Sequence, residues 1–360
     1  MDLNNLGMDF SIEEEYFEVK GDIYVLPDDI IVIILSKLSW EEVNIIKLVS
    51  RKFYDIVHRN YHRLERKKVD MLTIEYNEME SYPFHIDMVL KIVEFWNLRT
   101  IGLHNRKITT FQSGEKLAGF LKMFDMRDLH ECNIYVTGNI DIFSILEGIF
   151  QKGTKINMLM SPKIKEKDFI SFGTFIKKLS SVKCIVIKHI CPSLAGAGSV
   201  FSLLSSTSFN TIKVLEIHGC DRTKILPTDF FTNLIKINPT LRELGVGSMN
   251  IEFLESAFKE FFAMNQPHQM ESECGYSKVK FFLFFEGNIK HLHNILRNNV
   301  SKLNNVAEVD ISSGQDYPHF LGFAKFEAHE DCKNCLNNRH KITKSAYLCD
   351  WDGFYRELYH

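Results

Sequence analysis

The chain has 360 residues with nearly balanced charge, 43 Lys and Arg against 46 Asp and Glu, for a formal net charge of −3. That balance argues against a nucleic-acid footprint, and no apolar run is long enough to cross a membrane. A hydrophobic content of 45% fits a folded globular protein, and 29 Phe point to an aromatic-rich core.

The N-terminus lacks a basic stretch followed by an apolar one, so no secretory signal is visible. The 8 scattered cysteines read as reduced thiols of a cytoplasmic or nuclear protein. Residues 1–20 carry Glu13, Glu14, Glu15 and Glu18 and read as a disordered acidic lead-in. From Val25 the sequence runs VLPDDIIVIILSKLSWEEVNIIKLVSRKF. Pro27 suits a first helical turn, because its missing N–H would be unpaired there, and Asp28 and Asp29 favour the positive end of that helix. Ser39, with Glu41 and Glu42 behind it, starts a second helix with capping chemistry. Val43, Ile46 and Val49 recur on it at helical spacing. A third short helix carries Phe53, Ile56, Val57 and Tyr61 among bases. Ile30, Ile31, Ile33, Ile34 and Leu35 nearly encircle the first helix. Three short helices cannot bury all that aliphatic surface alone, so a partner is implied.

This stretch resembles the F-box, whose pattern is Leu-Pro, an acidic pair, an aliphatic helix, a Leu, a second helix, then Val-Cys-x-x-Trp. Leu26, Pro27, Asp28, Asp29, Ile30, Ile34, Leu38, Val43 and Val49 occupy those places without a gap. Ser50 stands where Cys is usual, Phe53 where Trp is usual, and Trp40 where Pro is common. The resemblance implies an F-box over residues 21–64 that docks a Skp-type adaptor. Leu26, Pro27, Ile30, Ile31, Ile34, Leu38, Val43, Val49 and Phe53 would make the contacts.

After a small basic hinge (Arg63, Arg66, Lys67, Lys68), one pattern recurs: apolar-x-x-apolar-x-apolar, a turn, then an amphipathic helix. Clear instances are Val69/Leu72/Ile74, Leu98/Ile101/Leu103, Val182/Ile185/Ile187, Ile212/Leu215/Ile217, Leu241/Leu244/Val246, Val279/Phe282/Phe284 and Val306/Val309/Ile311. Weaker ones lie near Ile134/Val136 and Met158/Met160. Starts recur about every 30 residues, a period that signals a solenoid. Helical stripes fill the intervals, among them Ile86/Val89/Leu90/Val93, Leu117/Phe120/Leu121/Phe124, Ile251/Leu254/Phe258 and Ile289/Leu292/Leu296. Asn77, Asn139 and Cys220 follow their strands where leucine-rich repeats place a turn-binding Asn or Cys, and Cys191, Asn250 and Asn288 stand one place later. Residues 69–314 thus resemble irregular leucine-rich repeats, which implies an α/β solenoid with a curved parallel sheet and outer helices. Residues 315–360, with Tyr317, Phe320, Phe323, Phe326, Trp351, Phe354 and Tyr355, would cap or trail it.

Little in the chain suggests chemistry. Cys332-x-x-Cys335 has His329, His340 and Cys349 nearby, but the second pair lacks zinc-ligand spacing, so free thiols are expected and no metal or cofactor is. Gly245-x-Gly247 has no third Gly to complete a dinucleotide fingerprint. No catalytic residue is assigned. Taken together, the resemblance implies the substrate-recognition subunit of a cullin-RING (SCF-type) ubiquitin ligase: the F-box on its Skp-type adaptor, and through it a cullin, with the repeats on an unknown protein substrate. An F-box-like scaffold outside any ligase, or an open-sheet α/β enzyme, are the alternatives. For the substrate surface, Phe281, Leu283 and Phe285 would form an aromatic patch on the concave face, extended by Val186 and Val214. The other reading of the same run is a strand covered on both faces.

Overall fold

The protein is described from a computed structural model, over residues 23–91, 105–161, 163–191, 211–219, 234, 238, 240–264, 278–303, 305–310, 322–332 and 341–350. The acidic lead-in, the Leu98/Ile101/Leu103 segment and the aromatic residues Tyr317, Phe320, Trp351, Phe354 and Tyr355 lie outside these. The chain divides into two compact units, Met1–Arg66 and Lys67–His360.

The first unit holds α1 (Asp28–Leu35), α2 (Trp40–Lys47) and α3 (Arg51–Asn60), with a 3-10 turn before α1 and another after α3. Each start has its local reason. Pro27 is the residue before α1, and Asp28 and Asp29 fill its first turn. Ser39 and Glu42 form a reciprocal capping box: the Glu42 N–H donates to Ser39 Oγ at 3.3 Å and the Ser39 N–H to Glu42 Oε2 at 2.8 Å. Ser50 Oγ accepts from the Phe53 N–H at 3.2 Å and caps α3. Ile31, Val32, Leu35, Val43, Phe53, Ile56 and Val57 are buried.

The described strands of the second unit form one sheet. Three antiparallel strands make one edge: β1 (Val69–Asn77), β2 (Phe84–Leu90) and β3 (Arg106–Phe111). Parallel to β1, and side by side, run β4 (Asp128–Thr137) and β5 (Thr154–Ser161); the short β6 (Ile164–Lys165) pairs with β7 (Leu179–Cys191), which lies beside β5. The parallel series continues through β8 (Val214–Gly219), β9 (Glu243–Gly247) and β10 (Lys278–Phe285). The other edge holds β11 (Val306–Val309), β12 (Gly322–Asp331) and β13 (Lys341–Asp350). Among the described residues of this unit lie the helices α4 (Gly114–Leu121), α5 (Ile142–Ile149), α6 (Phe169–Lys178), α7 (Ile251–Ala263) and α8 (Ile289–Val300).

Three expectations are corrected here. The sheet is mixed rather than all parallel, with antiparallel pairs at both edges. The Ile86/Val89/Leu90/Val93 stripe is not a helix: Phe84, Ile86, Met88 and Leu90 are buried on alternate residues, the period of a strand. Finally, the Val306/Val309/Ile311 repeat does not follow β10 in the sheet. β13 takes that place, in parallel, and β11 pairs antiparallel with β12 instead. The segment read as a cap therefore supplies two strands.

The register locates the core. One row across the parallel strands is Leu72, Cys132, Leu159, Ile185, Leu215, Leu244, Phe281 and Ala346. The next is Ile74, Ile134, then Ser161, Ile187, Ile217, Val246, Leu283 and Leu348. All of these are buried, and the rows meet the helices: the Phe281 ring lies 5.0 Å from Phe261 of α7.

Candidate functional site

The first unit leaves much of its aliphatic surface uncovered. On α1, Ile30, Ile33 and Ile34 are 43%, 50% and 40% exposed, at the i, i+3, i+4 spacing of one helical face. At the end of α2 and just after it, Ile45, Leu48 and Val49 repeat that spacing, at 65%, 83% and 63% exposed. Val25 adds another exposed aliphatic side chain ahead of α1. Solvent-facing aliphatic groups at this density are the kind of surface that marks an interaction site.

The nine residues expected to touch an adaptor split by this geometry. Pro27, Ile30, Ile34 and Val49 are exposed, and Leu26 and Leu38 are half-buried. Ile31, Val43 and Phe53 are buried in the helical core, so they support the surface and do not form it. Ile33, Ile45, Leu48 and Val25 belong to the exposed set and lie outside the motif positions; their signal in the sequence is the aliphatic side chains opposite the buried stripe. The ends of the helices are held by polar contacts. Lys47 Nζ donates to Tyr61 Oη at 2.8 Å and lies 5.2 Å from the centre of the Tyr54 ring. Asp28 and Asp29 pair with Lys52 and Arg63 at 3.8 and 3.2 Å.

Residues 23–64 match the family model of the F-box domain. A comparison with curated proteins finds no match to the chain. The F-box match, together with the uncovered aliphatic faces, supports an F-box protein with a role in protein–protein interaction.

The residues expected to line a substrate surface are not brought together. Phe281, Leu283 and Phe285 are buried in the same core as the helices. Their register partners Leu244 and Val246 face that core too, so β10 is one residue out of phase with the expected pattern. A one-residue slip turns every side chain to the opposite face. Phe282 and Phe284, expected to point inward, cluster on the other face with Tyr347 and Cys349. The Phe282 and Tyr347 rings stack at 5.0 Å. Val186 and Val214 are half-buried on that second face, in register with Glu216 and Glu243. The proposed patch is thus divided between two sides of the sheet.

Gly245 and Gly247 sit within β9. A Cβ on Gly245 would come within 2.9 Å of Glu216 Cγ and 3.1 Å of Phe284 Cε2, so this glycine makes room for neighbours across the sheet. Burial pushes the thiols of Cys132 and Cys184 up to about 12, with Glu131 acting on the first, and Glu216 and Glu243 on the second. Such thiols stay protonated and react poorly. Among the described residues no group of three or more His, Cys, Asp and Glu is placed to hold a metal ion; Cys335 and His340 lie outside them. No described helix is long and apolar enough to cross a membrane.

Proposed function

We propose that the protein is the substrate-recognition subunit of an SCF-type cullin-RING ubiquitin ligase. Its F-box docks a Skp-type adaptor and, through it, a cullin, and its sheet unit holds the protein to be ubiquitinated. The observation that carries this reading is the F-box match over residues 23–64 combined with the exposed faces of Ile30, Ile33 and Ile34 and of Ile45, Leu48 and Val49. F-box domains typically bind such adaptors, and covering those side chains would stabilise the complex by roughly 25 cal/mol for each Å² of apolar surface removed from water. The protein does no chemistry itself in this reading: it raises the local concentration of its target beside the charged ubiquitin carrier. It would work in the cytoplasm or nucleus. An irregular leucine-rich array for the second unit is supported by the order of β4, β5, β7, β8, β9 and β10, each beside its predecessor.

The test is a pull-down with a purified Skp-type adaptor. Ile30→Asp combined with Ile34→Asp should weaken capture by at least about tenfold, since central apolar anchors cost more than about 1 kcal/mol each. The melting temperature should hold, because both side chains are exposed. Undiminished capture would overturn the assignment. With a purified cullin added, capture of adaptor without cullin would leave an interaction scaffold outside a ligase.

A further inference from the structure

At the N-terminal ends of the parallel strands, one base follows another. Arg127 precedes β4, Lys155 lies at the start of β5, Lys183 in the first half of β7, Lys213 before β8, Arg242 before β9, and Lys278 opens β10. Backbone bonds set many of them side by side. The Lys155 N–H donates to Arg127 O, the Lys213 N–H to Lys183 O, the Arg242 N–H to Lys213 O, and the Lys280 N–H to Arg242 O, each at 2.8 Å. Adjacent strands lie about 4.8 Å apart, so these bases form a row along one rim of the sheet.

Three acids of that rim are already engaged. Asp125 pairs with Arg127 at 2.6 Å, Asp128 with Lys91 at 2.9 Å, and Glu243 with Lys280 at 3.5 Å. Lys155, Lys183 and Lys213 are exposed and make no ion pair among the described residues. Their field reaches along the rim. The Asp128 carboxyl is held below its ordinary range first by the hydrogen bond from Lys91, against the effect of burial, and Lys155 and Lys183 add to the lowering. This local surplus of positive charge stands out in a chain whose formal net charge is −3.

We propose that the rim centred on Lys155, Lys183 and Lys213 docks an extended, Asp- and Glu-rich segment of the target protein. This rests on the reading of the sheet unit as the target-binding part. Charge complementarity sets the class of partner. The three lysines span roughly 10 Å or more, the reach of three or four extended residues at about 3.3 Å each. Single-stranded nucleic acid fits less well. Such strands are held by basic grooves with aromatic platforms, and among the described residues of this unit the exposed rings, Tyr82 and Phe323, lie at the opposite ends of the strands.

The experiment uses the full chain and fluorescence anisotropy with three labelled probes: an oligoglutamate peptide, an oligoglutamine peptide and oligothymidylate DNA. Oligoglutamate should bind best, and more weakly as salt rises. The triple variant K155E/K183E/K213E should bind it at least about tenfold more weakly, with unchanged melting and unchanged capture of the Skp-type adaptor. K155Q/K183Q/K213Q serves if the glutamate variant melts early. Failure of oligoglutamate to bind at low salt, equal binding by a folded triple variant, or tighter binding of oligothymidylate each overturns the proposal. Adaptor capture in the same samples separates the two readings: its loss in the unaltered chain refutes the ligase assignment, whereas its persistence without peptide binding refutes only the rim.

Discussion

Phe281 illustrates how a single position can reverse its meaning. Val279-Lys280-Phe281-Phe282-Leu283-Phe284-Phe285 has apolar side chains on both alternations, so the sequence alone cannot say which set faces the helices. The neighbouring strand decides, by pairing Leu244 with Phe281 and Val246 with Leu283. Phe281→Ser should therefore lower stability by about 3–5 kcal/mol, the range for truncating a buried ring; a urea melt checks it, and an unchanged midpoint would return the ring to the surface. Asp87 offers a test of charge at the same scale. Hydrogen bonds from Arg106 hold its carboxyl below the ordinary range, against a smaller effect of burial. The folded value is depressed, so its stabilising contribution is present above the unfolded carboxylate value of about 3.9 and is lost as pH falls through the folded one. Urea melts over a pH series should show Arg106→Gln losing less stability on acidification than the unaltered chain.

Among the elements, the helix starts were the most legible. Ser39 with Glu42 reads as a capping box, and the structure contains that box. Asn250 and Asn288, noted as turn residues, accept from the Phe253 and His291 N–H groups and cap α7 and α8. Ser50 departs from the F-box pattern, yet it caps α3. Ser50→Ala should cost about 1 kcal/mol, measured as a lower melting temperature of the three-helix unit. The sequence of β2 is ambiguous, because Ile86, Val89 and Leu90 also satisfy helical spacing; the stronger signal is the alternation of Phe84, Ile86, Met88 and Leu90. The position of β13 had no local signal. It depends on contacts far apart in the chain, among them Lys344, whose buried ammonium donates to Met264 O at 2.6 Å, to Phe262 O at 3.3 Å and to Glu330 Oε1 at 2.7 Å. Those bonds satisfy carbonyls at the end of α7 that no intrahelical donor reaches.

On the scale of the whole molecule, the two units each carry their own buried residues, and the boundary falls at Arg66 and Lys67. Residues 67–360 expressed alone should melt cooperatively and fail to capture the adaptor; a broad, non-cooperative transition would place the boundary elsewhere. The amino-acid sequence by itself determined the F-box helices, their caps and most of the parallel strands, since each rests on neighbours within a few residues: a capping pair, a helical stripe, an apolar triplet. Tertiary structure alone decided which residues of the F-box are core and which are surface, that β13 rather than β11 lies beside β10, and which face of β10 meets the helices. Those outcomes depend on strand register and on partners up to 82 residues apart, and a side-chain period of two carries no record of which neighbour sets its phase.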